Sequence, residues 1–119
     1  MKEFLLILHT EGDVWTSLSP EKLQSHIQKG TAYITKLISE GKLKSAQPLD
    51  KGSRLVFESN GIIKDGPFNE TNEVIAGYFH LLAKDIQEAV EIAKANPIFQ
   101  DIPTKIEVHP MKIVGGIND

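Results

Sequence analysis

Runs of apolar residues, broken by polar and glycine-rich stretches, predict an alternation of strands and helices along this chain. The segment from Phe4 to Leu8 is apolar at every position, which is typical of a strand covered on both faces. The run Val74–Leu82 has the same character, and Gly77 in its middle predicts a close approach by a neighbouring strand. Near the end of the chain, Lys105–His109 alternates between polar and apolar residues, as a strand with one buried face does.

Two helices are predicted between these strands. The first begins at Ser19-Pro20-Glu21, which supplies a capping hydroxyl, a proline and an acid for the first turn, and it ends at Gly41. The second begins after Asp85 and ends at Asn96-Pro97. The segment Thr10–Leu18, before the first helix, is predicted to be a loop. The apolar stripe of the first helix comprises Leu23, Ile27, Ile34, Leu37 and Ile38, with Gly30 on the same stripe.

The middle of the chain carries turn signals. A strand over Leu43–Leu49 is followed by a hairpin, because Asn60-Gly61 tolerates positive φ at both positions. Asp65-Gly66-Pro67 predicts a second, sharp turn, since it joins an aspartate, a glycine and a proline. A polar spacer, 69–72, separates this turn from the central strand.

This order of elements predicts an α+β, ferredoxin-like βαββαβ fold with an inserted β-hairpin. Both helices then lie on one face of the sheet, although the first and third main strands carry apolar residues on both sides. The uncovered face needs a partner, and an identical chain packed sheet against sheet is the simplest one. We therefore expect a homodimer through the sheet face.

Composition excludes several classes of protein. With 119 residues, no cysteine and a net charge of −3, the chain has the size of one domain and cannot form disulfides or thiolate sites. Arg54 is the only arginine, so nucleic acid binding is not expected. The run Phe4–Leu8 is too short for a membrane span, and a cytoplasmic protein is expected. We expect one domain over 1–112 and a C-terminal tail over 113–119.

Histidines and one aspartate are the candidate catalytic groups. His9 and His80 each lie toward the C-terminal end of a central strand. We expect these two strands to be adjacent and parallel in a ferredoxin-like order, which would bring the two imidazoles within hydrogen-bond reach. Asp65 is either a general base or the side chain that shapes its own turn. His109 is expected at the opposite end of the sheet from His9. No metal-ligand spacing stands out, so neither a metal nor another cofactor is expected.

Aromatic residues and one further acid are the candidate ligand-binding groups. Trp15, in the first loop, is the best candidate to close a pocket over the sheet edge. Phe68 and Tyr78 are alternatives, although aromatic residues at such spacing also fill cores. Glu73 is a further candidate to line the pocket or pair with Lys64, although a solvated charge at the strand end is the favoured interpretation.

The motif Asp65-Gly66-Pro67-Phe68, followed by Glu70-Thr71, Glu73 and Gly77-Tyr78-Phe79, resembles the pattern of the YCII-related, or DGPF-domain, family. The resemblance extends from Met1 to about Lys112. It implies a dimeric α+β barrel, in which more distant relatives hold small organic ligands between the sheet and its helices or loops. In one branch of the family that the chain resembles, a histidine in the first helix pairs with an aspartate. His26 lies in that helix, but its distance to Gly41 departs from the pattern of that branch, and the role is not transferred.

Two functions of different class follow from these observations. The first is a cofactor-independent enzyme that acts by acid and base on a small organic molecule, with His80 or His9 moving a proton and Asp65 orienting it. The second is a non-catalytic module that binds a small molecule or regulates a partner. An enzyme needs a titrating group at its pocket, whereas a binding module can have a wholly apolar one.

Overall fold

A computed structural model of the chain describes residues 1–68 and 73–119, and it has the predicted α+β, ferredoxin-like architecture. The predicted polar spacer 69–72, with its Glu70-Thr71 pair, lies outside the described residues. In chain order the elements are β1 (Lys2–Glu11), α1 (Val14–Ser17), α2 (Pro20–Ser39), β2 (Leu43–Pro48), β3 (Arg54–Ser59), β4 (Ile62–Pro67), β5 (Glu73–Ala83), α3 (Ile86–Lys94), a 3-10 helix (Pro97–Gln100) and β6 (Thr104–Pro110).

The main sheet has the strand order β2-β5-β1-β6, and the inserted hairpin β3–β4 forms a separate two-stranded sheet. All neighbours in the main sheet are antiparallel. The expectation that β1 and β5 are parallel was therefore wrong. A crossover through a helix makes β1 parallel to β2, and β5 lies between them with the opposite direction. Leu5 consequently pairs with His80 and His9 with Ile75, so the two histidines lie at opposite ends of the sheet.

Alternation along β1 divides the sheet into two unlike faces. Phe4, Leu6 and Leu8 are buried against the helices and pack with Leu81 and Leu37 in the core. The intervening residues point to the opposite side and are only half-buried. We call this opposite side the open face; it carries Leu5, Ile7, His9, Tyr78, His80, Glu107 and His109.

The ends of α2 follow their sequence signals. The hydroxyl of Ser19 accepts a hydrogen bond from the backbone N–H of Lys22 at 3.3 Å, and Gly41 follows the helix with φ of 71°. The predicted apolar stripe is only partly buried: Leu37 is in the core, whereas Ile27 and Ile38 are exposed. The helix thus packs on the sheet along one side of this stripe and leaves the other side uncovered.

The segment 10–18 was wrongly predicted to be a loop. Thr10 and Glu11 continue β1, and residues from Val14 onward form α1. The side chain of Asp13 caps this short helix by accepting a hydrogen bond from the N–H of Trp15 at 3.3 Å. Val14 is buried in the core, which fixes the turn against the sheet and sets the position of Trp15.

The hairpin confirms one turn prediction and corrects another. Asn60 and Gly61 have φ of 52° and 76°, as the predicted two-residue turn requires. Asp65-Gly66-Pro67, however, is no turn but the end of β4, where Asp65 pairs with Val56 across the ladder. Pairing with β3 holds the segment extended, and a proline is tolerated at the end of an edge strand. Within the described residues, none of the helices has the length and apolar content of a membrane span.

A close backbone approach at Gly77 confirms the prediction made for this residue. A Cβ atom built there would lie 2.6 Å from the carbonyl oxygen of Gln47 and 3.1 Å from the Cα of Pro48. Both of these are backbone atoms of the adjacent strand, so neither can rotate away. Glycine at this position is what allows β2 to pair with β5.

Replacing Gly77 by alanine should therefore destabilise the protein by about 1–3 kcal/mol, because the sheet must shift to accept the methyl group. The free energy of unfolding from urea titration measures the effect. Gly66→Ala is the matched control, since Gly66 also lies in a strand but has no atom within 4 Å of the added carbon. Equal urea midpoints for the two variants would contradict the prediction.

Candidate functional site

A cavity of about 270 Å³ lies between the helix-covered face of the sheet and α2. We call it the inner cavity. Its floor is formed by Leu8, Gly77 and Phe79 of the sheet, and its rim includes Trp15 of α1 and Ile98 of the 3-10 helix. The residues that α2 contributes follow helical spacing along one side, and they are His26, Ile27, Gly30, Thr31, Tyr33 and Ile34.

His26 forms a hydrogen-bonded pair with Asp101 at the wall of this cavity. The Nδ1 atom of His26 lies 2.7 Å from Oδ2 of Asp101, and Lys29 donates a hydrogen bond to Oδ1 at 2.7 Å. The side chains of His26 and Asp101 are 16% and 14% exposed, so both are largely withdrawn from water. The aspartate oxygens are therefore held by two cationic or potentially cationic groups from successive turns of α2.

Local structure brings Asp101 to this position. The side chain of Asn96 caps the 3-10 helix by accepting a hydrogen bond from the N–H of Ile98 at 3.0 Å. The N–H of Asp101 then donates to the carbonyl of Ile98 at 3.1 Å, which ends that helix and turns the chain toward β6. Because Pro97 and Ile98 are buried, the turn is anchored against the core and the carboxylate faces α2.

Two opposing effects act on the pKa of Asp101. Desolvation by burial acts to raise the pKa, but hydrogen bonds from Lys29 and His26, together with their charges, outweigh it and hold the pKa below its ordinary value of 3.8. Asp101 is thus a carboxylate under ordinary conditions. A carboxylate bonded to Nδ1 requires a proton on that atom, which leaves Nε2 of His26 as the basic nitrogen.

Tyr33 is a second titratable group of the inner cavity, but it is already engaged. Its hydroxyl donates a hydrogen bond to the carbonyl of Ile92 at 2.5 Å. Burial raises the pKa of Tyr33 above its ordinary value of 10.0. Its ring packs against Phe79 with the centroids 6.0 Å apart. Tyr33 therefore ties α2 to α3 and shapes the cavity wall.

Trp15, a predicted ligand-binding residue, lies between two cavities. It lines the inner cavity and also a second cavity of about 510 Å³, which we call the outer cavity. Phe68, another predicted ligand-binding residue, lines the outer cavity near the base of the hairpin. The outer cavity is more polar, and its rim carries Asp13 and Lys51, whose charged atoms are 3.6 Å apart.

The predicted catalytic histidines lie on the open face of the sheet and not in either cavity. His9 contacts Glu107 through Nε2, and His109 contacts the other oxygen of Glu107 at 2.8 Å. His80 lies 2.7 Å from Glu3, whose pKa is lowered by hydrogen bonds from Lys44 and then from His80. The structure therefore separates His9 from His80 and gives each a different glutamate.

The other predicted residues are also dispersed. Asp65 lies on the exposed hairpin and forms an ion pair with Arg54 at 2.5 Å, in place of the expected backbone turn. Glu73 pairs with Lys105 at 3.0 Å and not with Lys64, and the same oxygen lies 3.7 Å from Nδ1 of His9, so these two predicted residues do lie near each other. Tyr78 lies on the open face opposite Ile7. Among the residues that the structure describes, no group of three or more His, Asp or Glu side chains is arranged to hold a metal ion.

Sequence reasoning set His26 aside, because its distance to Gly41 departs from the family branch that pairs a helix histidine with an aspartate, and it missed Asp101 altogether. One signal was present in the sequence: a histidine and a glycine four residues apart, beside the apolar stripe of the first helix, mark a gap in the packed side of that helix. Asp101 gave no comparable signal, because it lies 75 residues from His26 in a short turn.

Comparison with known proteins identifies the family. The model of the YCII-related domain matches residues 1–112, and the chain belongs to that family. No curated protein matches the chain.

The pair between His26 and Asp101 should make stability depend on pH in acid. Because the folded pKa of Asp101 is depressed, its contribution is fully present above pH 3.8 and is lost as pH falls through the folded pKa. Asp101→Asn should lower the free energy of unfolding by about 1–2 kcal/mol at neutral pH, since the amide cannot replace both charged hydrogen bonds. The difference from wild type should shrink below pH 3.8, as urea titrations at several pH values can measure.

Asp50→Asn is the control, because Asp50 is exposed and bonds to the neighbouring N–H of Lys51. A constant difference between Asp101→Asn and wild type down to pH 2, within about 0.3 kcal/mol, would mean that ionisation of Asp101 does not matter to the fold.

Proposed function

We propose that this member of the YCII-related family is a cofactor-independent acid-base enzyme that acts on a small organic molecule bound in the inner cavity. The observation that carries the proposal is the His26–Asp101 pair at the wall of an apolar cavity. A histidine oriented by a buried carboxylate is a common arrangement for proton transfer in enzymes.

Asp101 has a positioning role in this proposal. Its hydrogen bond to Nδ1 fixes the tautomer and the orientation of the imidazole, so that Nε2 takes the proton. Among the described residues, Nε2 has no hydrogen-bond partner, and the atom is thus available to a bound molecule. The negative charge of Asp101 also stabilises the imidazolium that forms when Nε2 is protonated.

His26 would have to serve as both base and acid. Of the described residues that line the inner cavity, the other titratable one is Tyr33, whose raised pKa and bond to Ile92 make it a poor proton donor. A single base removes a proton from carbon, while the C–H electron pair moves toward an adjacent carbonyl to give an enolate. The same imidazolium then returns the proton to the same carbon or to a neighbouring one, which is exchange or isomerisation.

His26→Gln should reduce proton exchange by roughly 100-fold or more, since general acid-base catalysis contributes at least that much. The assay follows loss of the C–H signal of acetophenone and of a panel of small neutral lactones in D₂O by NMR, with and without protein. The assay does not require the product of the natural reaction to be known, because exchange reports proton removal alone.

Variants of the other histidines give the controls and the competing assignment. His109→Gln should exchange at the wild-type rate, since His109 lies on the open face, on the other side of the sheet from the inner cavity. If His80→Gln or His9→Gln loses exchange and His26→Gln does not, the assignment from sequence is correct and ours is overturned. If wild type binds these compounds but does not accelerate exchange, the chain is a small-molecule-binding module, a reading that the apolar character of the cavity favours.

We further propose that two copies associate through the open face. Its centre, Leu5, Ile7 and Tyr78, is apolar and half-buried, and in the described part of the chain both long helices cover the opposite side. His9 and His80 at its two ends already have glutamate partners, which lowers the cost of covering them with a second copy. The cytoplasmic location expected from the sequence stays a prediction.

Ile7→Lys should convert such a dimer to monomer, because it places two charges near the centre of a two-fold interface. Sedimentation equilibrium of wild type and variant measures the mass. Ile38→Lys, at an exposed position of α2, should leave the association unchanged. A wild-type protein that sediments as a monomer of 13.2 kDa at high concentration would refute the proposal.

A further inference from the structure

We infer that the molecule bound in the inner cavity is uncharged and of about the size of one substituted ring, and that Gly30 sets the upper limit on its size. The inference rests on the proposed function for the role of His26. Its content concerns the ligand, however, and binding alone can test it.

The charges around the inner cavity favour an uncharged ligand. Of the described residues that line it, none is Lys, Arg, Asp or Glu, and His26 is the group that can carry a charge at ordinary pH. When His26 is protonated, Asp101 already neutralises it at 2.7 Å. An anion would thus be desolvated without a free cationic partner. A cation would meet no free carboxylate, because Asp101 is shared by His26 and Lys29. Burying an unpaired charge is costly, so an uncharged molecule is favoured.

The volume of the inner cavity limits the size of the ligand. An engineered apolar cavity of about 150 Å³ in another protein takes up benzene, so about 270 Å³ accommodates one ring with a small substituent. The few polar groups at the wall, including Thr31, Asn96 and Gln47, can meet one or two polar atoms of such a molecule. A ketone or lactone oxygen fits that description.

The missing side chain at Gly30 leaves space for the ligand. It stands in the interior of α2, four residues after His26, where glycine costs about 0.5–1 kcal/mol relative to alanine. A Cβ atom at Gly30 would meet nothing within 4 Å, and its φ is not in the left-handed region. Neither backbone conformation nor close packing therefore requires glycine here. The empty space beside it belongs to the inner cavity, and a side chain would take up that space next to His26.

Trp15 provides the means of observation. It is the single tryptophan of the chain and lines the inner cavity, so its fluorescence reports on what enters. It also lines the outer cavity, but Gly30 does not. A change at Gly30 therefore distinguishes the two cavities.

Binding is measured by the fluorescence of Trp15 during titration with acetophenone, benzoate and benzylamine. These probes have the same ring and similar size but are neutral, anionic and cationic near neutral pH. Acetophenone should bind at least roughly tenfold more tightly than either charged probe. Gly30→Val should weaken the binding of acetophenone at least roughly tenfold, and Gly30→Ala should weaken this binding less. Ala32→Val, on the exposed side of the same helix, should not change binding.

Each outcome of these titrations supports or overturns the inference about the ligand. Equal or tighter binding of benzoate or benzylamine would overturn the assignment of an uncharged ligand. Unchanged binding of acetophenone to Gly30→Val would place the ligand outside the inner cavity, and Gly30→Ala, which should fold at least as stably as wild type, repeats this test if the valine variant does not fold. Selective, Gly30-dependent binding without proton exchange would support the ligand class while the proposed catalysis fails.

Discussion

The register between β1 and β5 is the constraint on which the rest of the structure depends. It places Leu6 and Leu8 under the helices and Ile7 and His9 on the open face, and a slip by one residue would exchange these two sets. The register shifts once, between Leu8 and His9, and this shift leaves Ala76 as an extra residue in β5. Ala76 and Gly77 both line the inner cavity, so the irregularity in the central strand lies at the floor of the candidate site.

The site itself depends on two elements that meet only in the folded chain. His26 and Lys29 come from α2, whereas Asp101 comes from the turn that leads into β6. β6 pairs with β1 from Phe4 to Thr10, so the sheet fixes where that turn stands relative to α2. The interaction stabilises the fold and prepares the imidazole at the same time, because the same carboxylate that joins the two elements also selects the tautomer of His26.

Features set by neighbouring residues and the order of the elements were predicted from sequence, whereas features set by contacts between distant segments were not. Ser19, Gly41 and Asn60-Gly61 act within a few residues, and each forms the cap, stop or turn expected of it. The predicted proximity of His9 and His80 was wrong because it took β1 and β5 as parallel, whereas the helix crossover makes β1 parallel to β2 and leaves β5 antiparallel between them. The turn predicted at Asp65-Gly66-Pro67 was wrong because hydrogen-bonded pairing with β3 outweighed the turn preference of this segment. His26 and Asp101, far apart in sequence, were brought together by tertiary packing alone.

Under the proposed function, helix stability and ligand binding make opposite demands on α2, and the side that faces the inner cavity favours ligand binding. A helix chosen for stability would carry alanine or a larger apolar residue at position 30, since nothing there excludes one. The chain instead keeps glycine next to the histidine, and Ile27 remains 45% exposed at the same wall. Positions at which a sequence departs from local preference without a packing reason are expected to be functional ones. The cost in helix stability at Gly30, the absence of charged side chains from the described cavity lining and the partly buried partner of His26 are then three aspects of one arrangement, which in the proposed function keeps an apolar space open beside a single oriented base.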